Sequence, residues 1–402
     1  MLVTHEHLEL YRTTKKFVED ELNPHVDEWE AAGIWPAREV LKKMGDLGLL
    51  GVTKPVEFGG MGLDYSYEVM FAQALGNCTC GGIPMGIGVQ TDMATPALAR
   101  FGSAELKREY LAPAIAGDVC VSIAVSEAGA GSDVAGVKTF ARKEGGDYVI
   151  DGSKMWITNG TQSDWACMLV NTSEGKPHLN KSLIIVPMDA KGIDRRTKLD
   201  KLGMRSSDTA MIFLDGVRVP QRNLVGQEGM GFMYQMMQFQ EERLFGAATG
   251  IDGLFNLIQQ TIDYTGQRQA FGQSILDNQY VHFRLAELRT EVEAVKALVY
   301  QTTQEYISGK HTPEHIAMLA SMCKLKIGRV SREVTDALMQ FWGGQGYMWE
   351  NPVARAYRDT RLVSIGGGAD EIMLGIICKA MGILPSKKKF EARRAAESKA
   401  AA

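Results

Sequence analysis

The chain has 402 residues, of which 45% are hydrophobic and 23% charged, a composition typical of a globular protein with two or three packed units. Its formal net charge is −4, whereas a protein that binds a nucleic-acid duplex usually carries a basic surplus, so no nucleic-acid partner is expected. No segment approaches the ~20 consecutive apolar residues of a membrane helix. The six cysteines and seven histidines lack the spacing of metal ligands, and no metal site is expected.

Three regions that differ in predicted secondary structure follow one another along the chain. Residues 1–120 contain helical stretches such as LELYRTTKKFVEDEL, broken by glycine-rich turns. Residues 121–228 contain short strands punctuated by Gly, Asn, Asp and Pro, which is typical of an antiparallel barrel or sandwich and not of a parallel Rossmann sheet. Residues 229–385 are helical again, and residues 386–402 form a basic tail that is predicted to be disordered. The sequence therefore predicts an α+β multidomain protein.

Apolar residues recur at steps of three and four in two long runs of the third region. The first run contains Val281, Leu285, Leu288, Val292, Val295 and Val299, and the second contains Ile316, Leu319, Cys323, Ile327, Val330, Val334, Leu338 and Phe341. Such stripes are typical of amphipathic helices packed in a bundle.

Two segments of the central region contain residue types found at cofactor sites. AVSEAGAGSDVAG, residues 124–136, follows a predicted strand, and its glycines would let the backbone approach a flat or phosphorylated ligand. Its glycine spacing differs from that of a dinucleotide fingerprint, and an ordinary turn between strands explains it as well. SKMWITNG, residues 153–160, places Trp156 and Thr158 on one face of a strand, where the indole either covers an aromatic cofactor or fills the core.

Two further segments, RQAFGQSILDNQ and QFWGGQGY, lie in the helical third region. Their candidate residues are Arg268, Phe271, Gln279, Gln340, Gly343 and Gly344. An arginine can bind pyrophosphate through two hydrogen bonds, whereas a helix C-cap with ordinary surface charge is the alternative explanation.

In this order, the four segments resemble the acyl-CoA dehydrogenase family over about residues 5–384. The family's two signatures are similar to SEAGAGSDVAG and QFWGGQGY. The resemblance implies an N-terminal helical domain, a central antiparallel β-barrel domain and a C-terminal four-helix bundle. It also implies FAD as cofactor, an acyl-CoA substrate, an electron-transfer flavoprotein as electron acceptor, and a homotetramer built as a dimer of dimers.

The resemblance further implies roles for individual residues. The flavin is expected to be cradled by Ile123, Val125, Ser126, Gly131, Ser132, Trp156, Ile157 and Thr158. Ser132 is also expected to meet the CoA moiety. The FAD of a neighbouring subunit is expected to contact Arg268, Phe271, Gln279, Gln340, Gly343 and Gly344. The loop SIGGGADEI is expected to contact the flavin through Gly368, Ala369 and Glu371, although Ala369 replaces the usual threonine and removes its side-chain hydrogen bond.

The catalytic base is expected to be displaced from its usual position. Most family members carry a glutamate in the loop that matches SIGGGADEI, and this chain has Gly367 there. The isovaleryl-CoA and long-chain branches carry the base on a bundle helix directly before an arginine. The matching segment MQFQEERLFG makes Glu242 the base and Arg243 its neighbour at the substrate, while Glu241 is the competing candidate and a solvated helix face is the plain alternative. The N–H group of Gly367 is then expected to polarise the thioester carbonyl.

Several alternatives remain for the substrate and for the compartment. The segments GGIPMGIGVQTDMATPAL and KLGMRSSDTA look most like those of bacterial citronellyl-CoA dehydrogenases, which act on a branched terpenoid acyl chain. Gly82, Gly86 and Gly88 would leave a roomy pocket or form a tight turn. The alternatives are an isovaleryl-CoA or other short branched-chain enzyme, an acyl-CoA oxidase or flavin monooxygenase on the same fold, and a non-enzymatic nucleic-acid-binding relative. The polar N-terminus favours the bacterial cytoplasm, with the mitochondrial matrix as the alternative.

Overall fold

The computed structural model describes residues 1–385, so the tail predicted at 386–402 lies outside the described residues. Eight helices precede the first strand: α1 His5–Phe17, α2 Val26–Ala32, α3 Ala37–Asp46, α4 Tyr65–Leu75, α5 Gly82–Gly88, α6 Pro96–Phe101, α7 Ala104–Leu106 and α8 Ala112–Ile115. Three π-helical segments extend this group at Val18–Leu22, Val89–Met93 and Lys107–Leu111.

The central region forms an eight-stranded sheet. Its strands are β1 Val121–Ala124, β2 Phe140–Glu144, β3 Asp147–Thr158, β4 Trp165–Asn171, β5 Lys181–Pro187, β6 Ile193–Lys198, β7 Thr209–Pro220 and β8 Leu224–Val225. They run in the order β6-β7-β3-β2-β4-β5-β8, with β1 beside β4. β1 is parallel to β4, and β2 meets β4 in parallel at a single residue pair, while the other pairings are antiparallel. The two parallel contacts escaped the sequence analysis because the direction of a pairing depends on strands that are distant in the chain.

The C-terminal region forms a bundle. Its elements are α9 Gly231–Gln267, β9 Gln269–Ala270, β10 Gln273–Ser274, α10 Gln279–Ser308, α11 Pro313–Trp342, α12 Pro352–Thr360 and α13 Asp370–Ala380. Helices α9, α10 and α11 pack against one another, and α12 and α13 pack on α11. Every residue of the two predicted apolar stripes is buried except Leu319, which is half-buried. Within residues 1–385, no helix combines the length and the apolar character needed to cross a bilayer.

Three hydrophobic clusters hold the regions together. The largest contains side chains from both the N-terminal helices and the bundle, so these two helical regions share one core. The other two lie on opposite faces of the sheet, because alternate residues of β4 and β5 point to opposite sides. The face with Trp165, Cys167 and Leu169 packs against α6 and α8. The sheet is therefore fixed to the helical body that supports α9.

Candidate active site

Two segments that are far apart in the sequence meet beside the middle of α9. Glu242 lies on α9, and Gly367 lies in the loop between α12 and α13. A Cβ atom on Gly367 would lie 3.0 Å from Glu242 Oε1, so the carboxylate fills space that a side chain on this loop would need. Gly367 has a φ angle of 61°, in the left-handed region that favours glycine. The fold thus brings together the two residues that the sequence analysis paired.

The Glu242 carboxylate is unpaired within the described part of the chain. It accepts no hydrogen bond there, and it keeps partial access to solvent. Burial raises the pKa of Glu242 to about 7, against the opposing charges of Arg243 and Lys324. An unpaired carboxylate whose pKa lies near neutrality has the properties of a general base.

Glu241 has a different environment. Arg100 of α6 donates a hydrogen bond from Nη2 to Glu241 Oε1, and the Tyr306 hydroxyl of α10 donates to the same oxygen at 2.6 Å. The Tyr65 hydroxyl of α4 donates to the backbone carbonyl of Glu241 at 2.7 Å. Glu241 is 5% exposed, and its carboxylate ties α9 to α6 and α10. Because Arg100 and Tyr306 both occupy this carboxylate, it is poorly placed to accept a substrate proton.

Arg243, which was expected at the substrate, lies inside the bundle. It is 6% exposed, and its Nη1 donates to Gln240 Oε1 at 3.1 Å. Its Nε atom is buried without a hydrogen-bond partner among the described residues. Consecutive helix residues point in different directions, which accounts for the separation of Arg243 from the accessible Glu242 carboxylate.

Lys324 of α11 is a site residue that the sequence analysis missed. Its Nζ donates to the carbonyl oxygen of Gly368, which ties the glycine loop (residues 366–368) to α11. Burial lowers the pKa of Lys324 to about 8, against the attraction of nearby carboxylates that include Asp370 and Glu242. Its sequence signal was its position beside Cys323 on the buried stripe of α11, where a lysine needs a partner.

The backbone of the glycine loop has donors to spare. The N–H groups of Gly367 and Gly368 donate to no acceptor within the described residues. Ala369 precedes α13 as its N-cap without a side-chain hydrogen bond, as its methyl group requires, and Glu371 is exposed on the first turn. Free N–H groups beside Glu242 are suited to bind an oxygen that gains negative charge during a reaction.

Trp156 stands out on the sheet because its backbone and exposure are unusual. Its φ angle is 62°, and the register between β3 and β7 shifts between Lys154 and Ile157. Its side chain is 52% exposed, and Thr158, two residues along, is half-buried. A bulge that exposes an indole in this way creates a flat aromatic surface on the sheet. Gly131 lies beside this surface, since a Cβ atom on Gly131 would lie 4.0 Å from the indole ring.

The other central residues that were expected at the flavin divide into two groups. Val125 and Ile157 are 7% and 3% exposed and belong to the two cores of the sheet, so they can contact a ligand only through the backbone. Ile123 and Ser126 are half-buried, and the Ser126 carbonyl accepts from Met155 N–H at 2.9 Å. The exposed pair Gly131 and Ser132 donates no backbone hydrogen bond within the described chain.

A buried ion pair beneath this loop was also missed. Lys154 Nζ donates to Glu127 Oε1 at 3.0 Å, to the Val125 carbonyl at 3.0 Å and to the Leu169 carbonyl at 2.7 Å. Glu127 also accepts from the N–H groups of the following chain at positions 138 and 139. Burial lowers the pKa of Lys154 to about 8, although the Glu127 carboxylate opposes this shift. Lys154 and Glu127 both lie within the quoted motifs, but nothing in their spacing shows that they meet.

The candidates from the bundle gather at one of its ends. Tyr264 of α9 stacks on Trp342 of α11 with ring centroids 4.0 Å apart, which joins the C-terminal ends of these two helices. The β9–β10 hairpin and the segment after Trp342 therefore lie at the same end. All six expected residues are exposed on the single chain: Arg268, Phe271, Gln279, Gln340, Gly343 and Gly344. They lie on the surface of the chain and do not line the Glu242 site.

Gly82, Gly86 and Gly88 form neither a roomy pocket nor a turn, which corrects both expectations. They belong to α5, and Cβ atoms on them would lie 2.3 Å from Ser206 Oγ, 2.7 Å from the Trp35 ring and 2.4 Å from the Phe245 ring, respectively. These glycines allow α5 to pack closely against its neighbours. The space that larger side chains at these three positions would need is filled by side chains from distant parts of the chain.

Comparison with known proteins identifies the family over most of the chain. The family models for the acyl-CoA dehydrogenase N-terminal, middle and C-terminal domains match residues 4–118, 122–217 and 229–382, respectively. The mitochondrial long-chain specific acyl-CoA dehydrogenase of Sus scrofa is 36% identical over 378 residues, which cover 93% of this chain and 86% of that protein.

Two solved structures extend the comparison to three dimensions. An acyl-CoA dehydrogenase from Geobacillus kaustophilus superimposes with a TM-score of 0.89 at 36% identity, covering 94% of this chain and 98% of that one. A glutaryl-CoA dehydrogenase from Mycobacterium smegmatis, solved in complex with FADH2, gives a TM-score of 0.87 at 26% identity, covering 96% of each chain. The chain therefore belongs to the acyl-CoA dehydrogenase family, whose members are FAD-dependent oxidoreductases.

The raised pKa of Glu242 leads to a pH prediction. A base must be deprotonated to act, so the rate of flavin reduction at limiting acyl-CoA should rise with pH through about 7 and then level off. Anaerobic stopped-flow measurements from about pH 5.5 to about pH 9 would report this profile.

The stability of the folded protein should fall over the same pH range in which the rate of flavin reduction rises. A carboxyl with a folded pKa above its unfolded value contributes stability that is lost as the pH rises through the folded pKa. Glu242→Gln should therefore raise the Tm relative to wild type more at about pH 8.5 than at about pH 5.5. A flat rate profile together with a pH-independent difference in Tm would contradict the raised pKa.

Proposed function

We propose that this enzyme removes hydrogen from the Cα–Cβ bond of an acyl-CoA thioester to give the trans-2-enoyl-CoA, with Glu242 as the base. The observation that carries the proposal is the position of Glu242 Oε1, which lies 3.0 Å from where a Cβ on Gly367 would be, at a loop position that has no side chain of its own. The pKa of Glu242 near 7 and the engagement of Glu241 by Arg100 and Tyr306 support the same choice.

The central region fits FAD as the cofactor. The half-exposed indole of Trp156 offers a surface for a flat aromatic ring, and Gly129 and Gly131 leave open space beside the loop. The free N–H groups of Gly131 and Ser132 offer donors to polar or phosphate oxygens, and we assign Ser132 to the CoA moiety as well. The buried Lys154–Glu127 pair would hold this surface in place.

The reaction divides into a proton transfer and a hydride transfer. The Glu242 carboxylate takes the α-proton, and the N–H group of Gly367 donates to the thioester carbonyl oxygen as negative charge develops there. FAD, when bound, supplies the acceptor for the β-hydride. Lys324 keeps the donor loop in position through the Gly368 carbonyl.

We propose a branched or medium-to-long acyl chain, such as a citronellyl chain, as the substrate. Gly246 lies one helical turn beyond Glu242 on the same face of α9. Leaving aside its two chain neighbours and the backbone of its own helix, no heavy atom of residues 1–385 lies within 4 Å of the position that its Cβ would take. A wide chain therefore has room directly beside the base, and the relative from Sus scrofa is named for long chains. A short branched chain such as isovaleryl remains the second candidate, since the same space would admit its methyl branch.

We further propose a homotetramer that passes electrons to an electron-transfer flavoprotein. The end of the bundle that contains the hairpin exposes large apolar side chains, among them Phe271, Tyr280, Tyr347 and Trp349. Exposed apolar surface of this extent is typical of a subunit contact. In such an assembly, Arg268 and Gln340 would reach a cofactor bound by the neighbouring subunit. Reduction of an electron-transfer flavoprotein without peroxide release would separate this enzyme from an oxidase or a monooxygenase.

The choice of base is tested by matched substitutions at adjacent positions. Glu242→Gln should slow flavin reduction by acyl-CoA roughly 10²–10⁴-fold while dithionite still reduces the bound flavin. Glu241→Gln should keep flavin reduction within a fewfold of wild type and lower the Tm, because Arg100 loses its charged partner. Flavin reduction at the wild-type rate in Glu242→Gln, or a larger loss in Glu241→Gln, would show that the base is assigned wrongly.

The substrate proposal is tested by filling the space at Gly246. Straight, methyl-branched and terpenoid acyl-CoAs of several lengths would be compared by anaerobic flavin bleaching in wild type, Gly246→Ala and Gly246→Val. The kcat/KM for branched substrates should fall in steps, by roughly tenfold or more in Gly246→Val, with a smaller loss for straight chains. Equal losses for all substrates would mean that this space does not select the acyl chain.

A further inference from the structure

One cluster of metal-ligating side chains lies away from the Glu242 site, at the turn between α10 and α11. Glu305 lies on the last turn of α10, His311 in the turn, and His315 on the first turn of α11. His315 Nε2 is 2.6 Å from Glu305 Oε2, and His311 Nε2 is 3.8 Å from the same oxygen. One ligand atom from each of the three residues lies within 4.8 Å of the other two. Two imidazoles thus converge on one carboxylate oxygen.

The local structure explains why the three side chains converge. Gly309, with a φ angle of 64°, ends α10 in the left-handed conformation and reverses the chain. Thr312 caps α11 by accepting the His315 N–H at its Oγ1 at 3.2 Å, which fixes the start of the second helix. The two imidazole rings stack with centroids 4.8 Å apart and an interplanar angle of 20°. Both rings are therefore aligned on the same side of the turn.

The carboxylate is oriented by a residue on its own helix. Gln301, one turn earlier on α10, donates from Nε2 to Glu305 Oε1 at 3.1 Å. This bond occupies one carboxylate oxygen and leaves Oε2 for the histidines. Partners of this kind orient the ligands of metal sites in proteins.

We infer that Glu305, His311 and His315 form a binding site for a divalent transition-metal ion of the zinc type. Two imidazoles and one carboxylate are ligands that zinc and its neighbours prefer, at about 2.0–2.2 Å from the metal. Bringing the three atoms onto such an ion requires only small side-chain movements from the present distances. Because all three side chains keep access to solvent, water can complete the coordination.

Such an ion would act as a cross-link between two bundle helices. It would join the last turn of α10 to the first turn of α11, and these helices form much of the bundle core. A ligand that binds only the folded state stabilises that state by an amount that grows with the logarithm of the ligand concentration above the dissociation constant. No metal site was expected from the sequence, because a pair of histidines four residues apart does not make a site by itself, and Glu305 joins the pair only through the turn.

Zinc binding to a protein without a polyhistidine tag, freed of metal by a chelator, tests this inference. Isothermal titration calorimetry with ZnCl2 should show one site per chain with a dissociation constant in the micromolar range or below. His311→Ala, His315→Ala and Glu305→Gln should each weaken binding roughly tenfold or more. His25→Ala is the matched control: its Nδ1 lies 3.8 Å from Glu28 Oε2 without a second histidine, and its loss should leave binding unchanged.

Two further measurements do not depend on enzyme activity. Co²⁺ should give visible absorption bands with wild type that are absent from the His311→Ala/His315→Ala double variant, and zinc should raise the Tm of wild type only. Circular dichroism of the double variant would check that it is folded. If the double variant binds zinc as tightly as wild type, or if wild type shows no saturable site, the inference is wrong.

Discussion

The site depends on the contact between one carboxylate and one missing side chain. Glu242 Oε1 occupies space that a Cβ on Gly367 would crowd, and the left-handed backbone of Gly367 opens that space. A carboxylate on the loop would place two like charges together, which disfavours the ionised form of both. Only one of these two segments, the loop or α9, can therefore carry the base. In the proposed mechanism the helix supplies the base, and the loop contributes free backbone N–H groups.

Helix α9 places two adjacent glutamates in different environments. Glu241 and Glu242 differ by one position, yet Glu241 faces Arg100 and Tyr306 while Glu242 faces the glycine loop. The first is therefore a hydrogen-bonded tie between helices, and the second is an unpaired carboxylate with a pKa near 7. Burial without a partner costs stability, and such a cost is typical of a residue retained for its chemistry.

Several local patterns in the sequence were informative. The apolar stripes of α10 and α11, the strand character of the central region and the pairing of Glu242 with Gly367 all follow from short segments or from a family motif. Side chains that meet through the fold were not accessible in this way. The packing of Phe245 against Gly88, the Lys154–Glu127 pair and the support of the loop by Lys324 each join residues whose separation in sequence carries no signal.

One base position should be reachable from either α9 or the loop. The most direct test transfers the carboxylate: flavin reduction by acyl-CoA is measured in Glu242→Gly and in the double variant Glu242→Gly/Gly367→Glu, with bound FAD quantified in both. The double variant should recover part of the rate lost in Glu242→Gly, since removing Glu242 clears the space for the new side chain. A double variant that binds FAD fully and reduces it no faster than Glu242→Gly would contradict a base position shared by α9 and the loop.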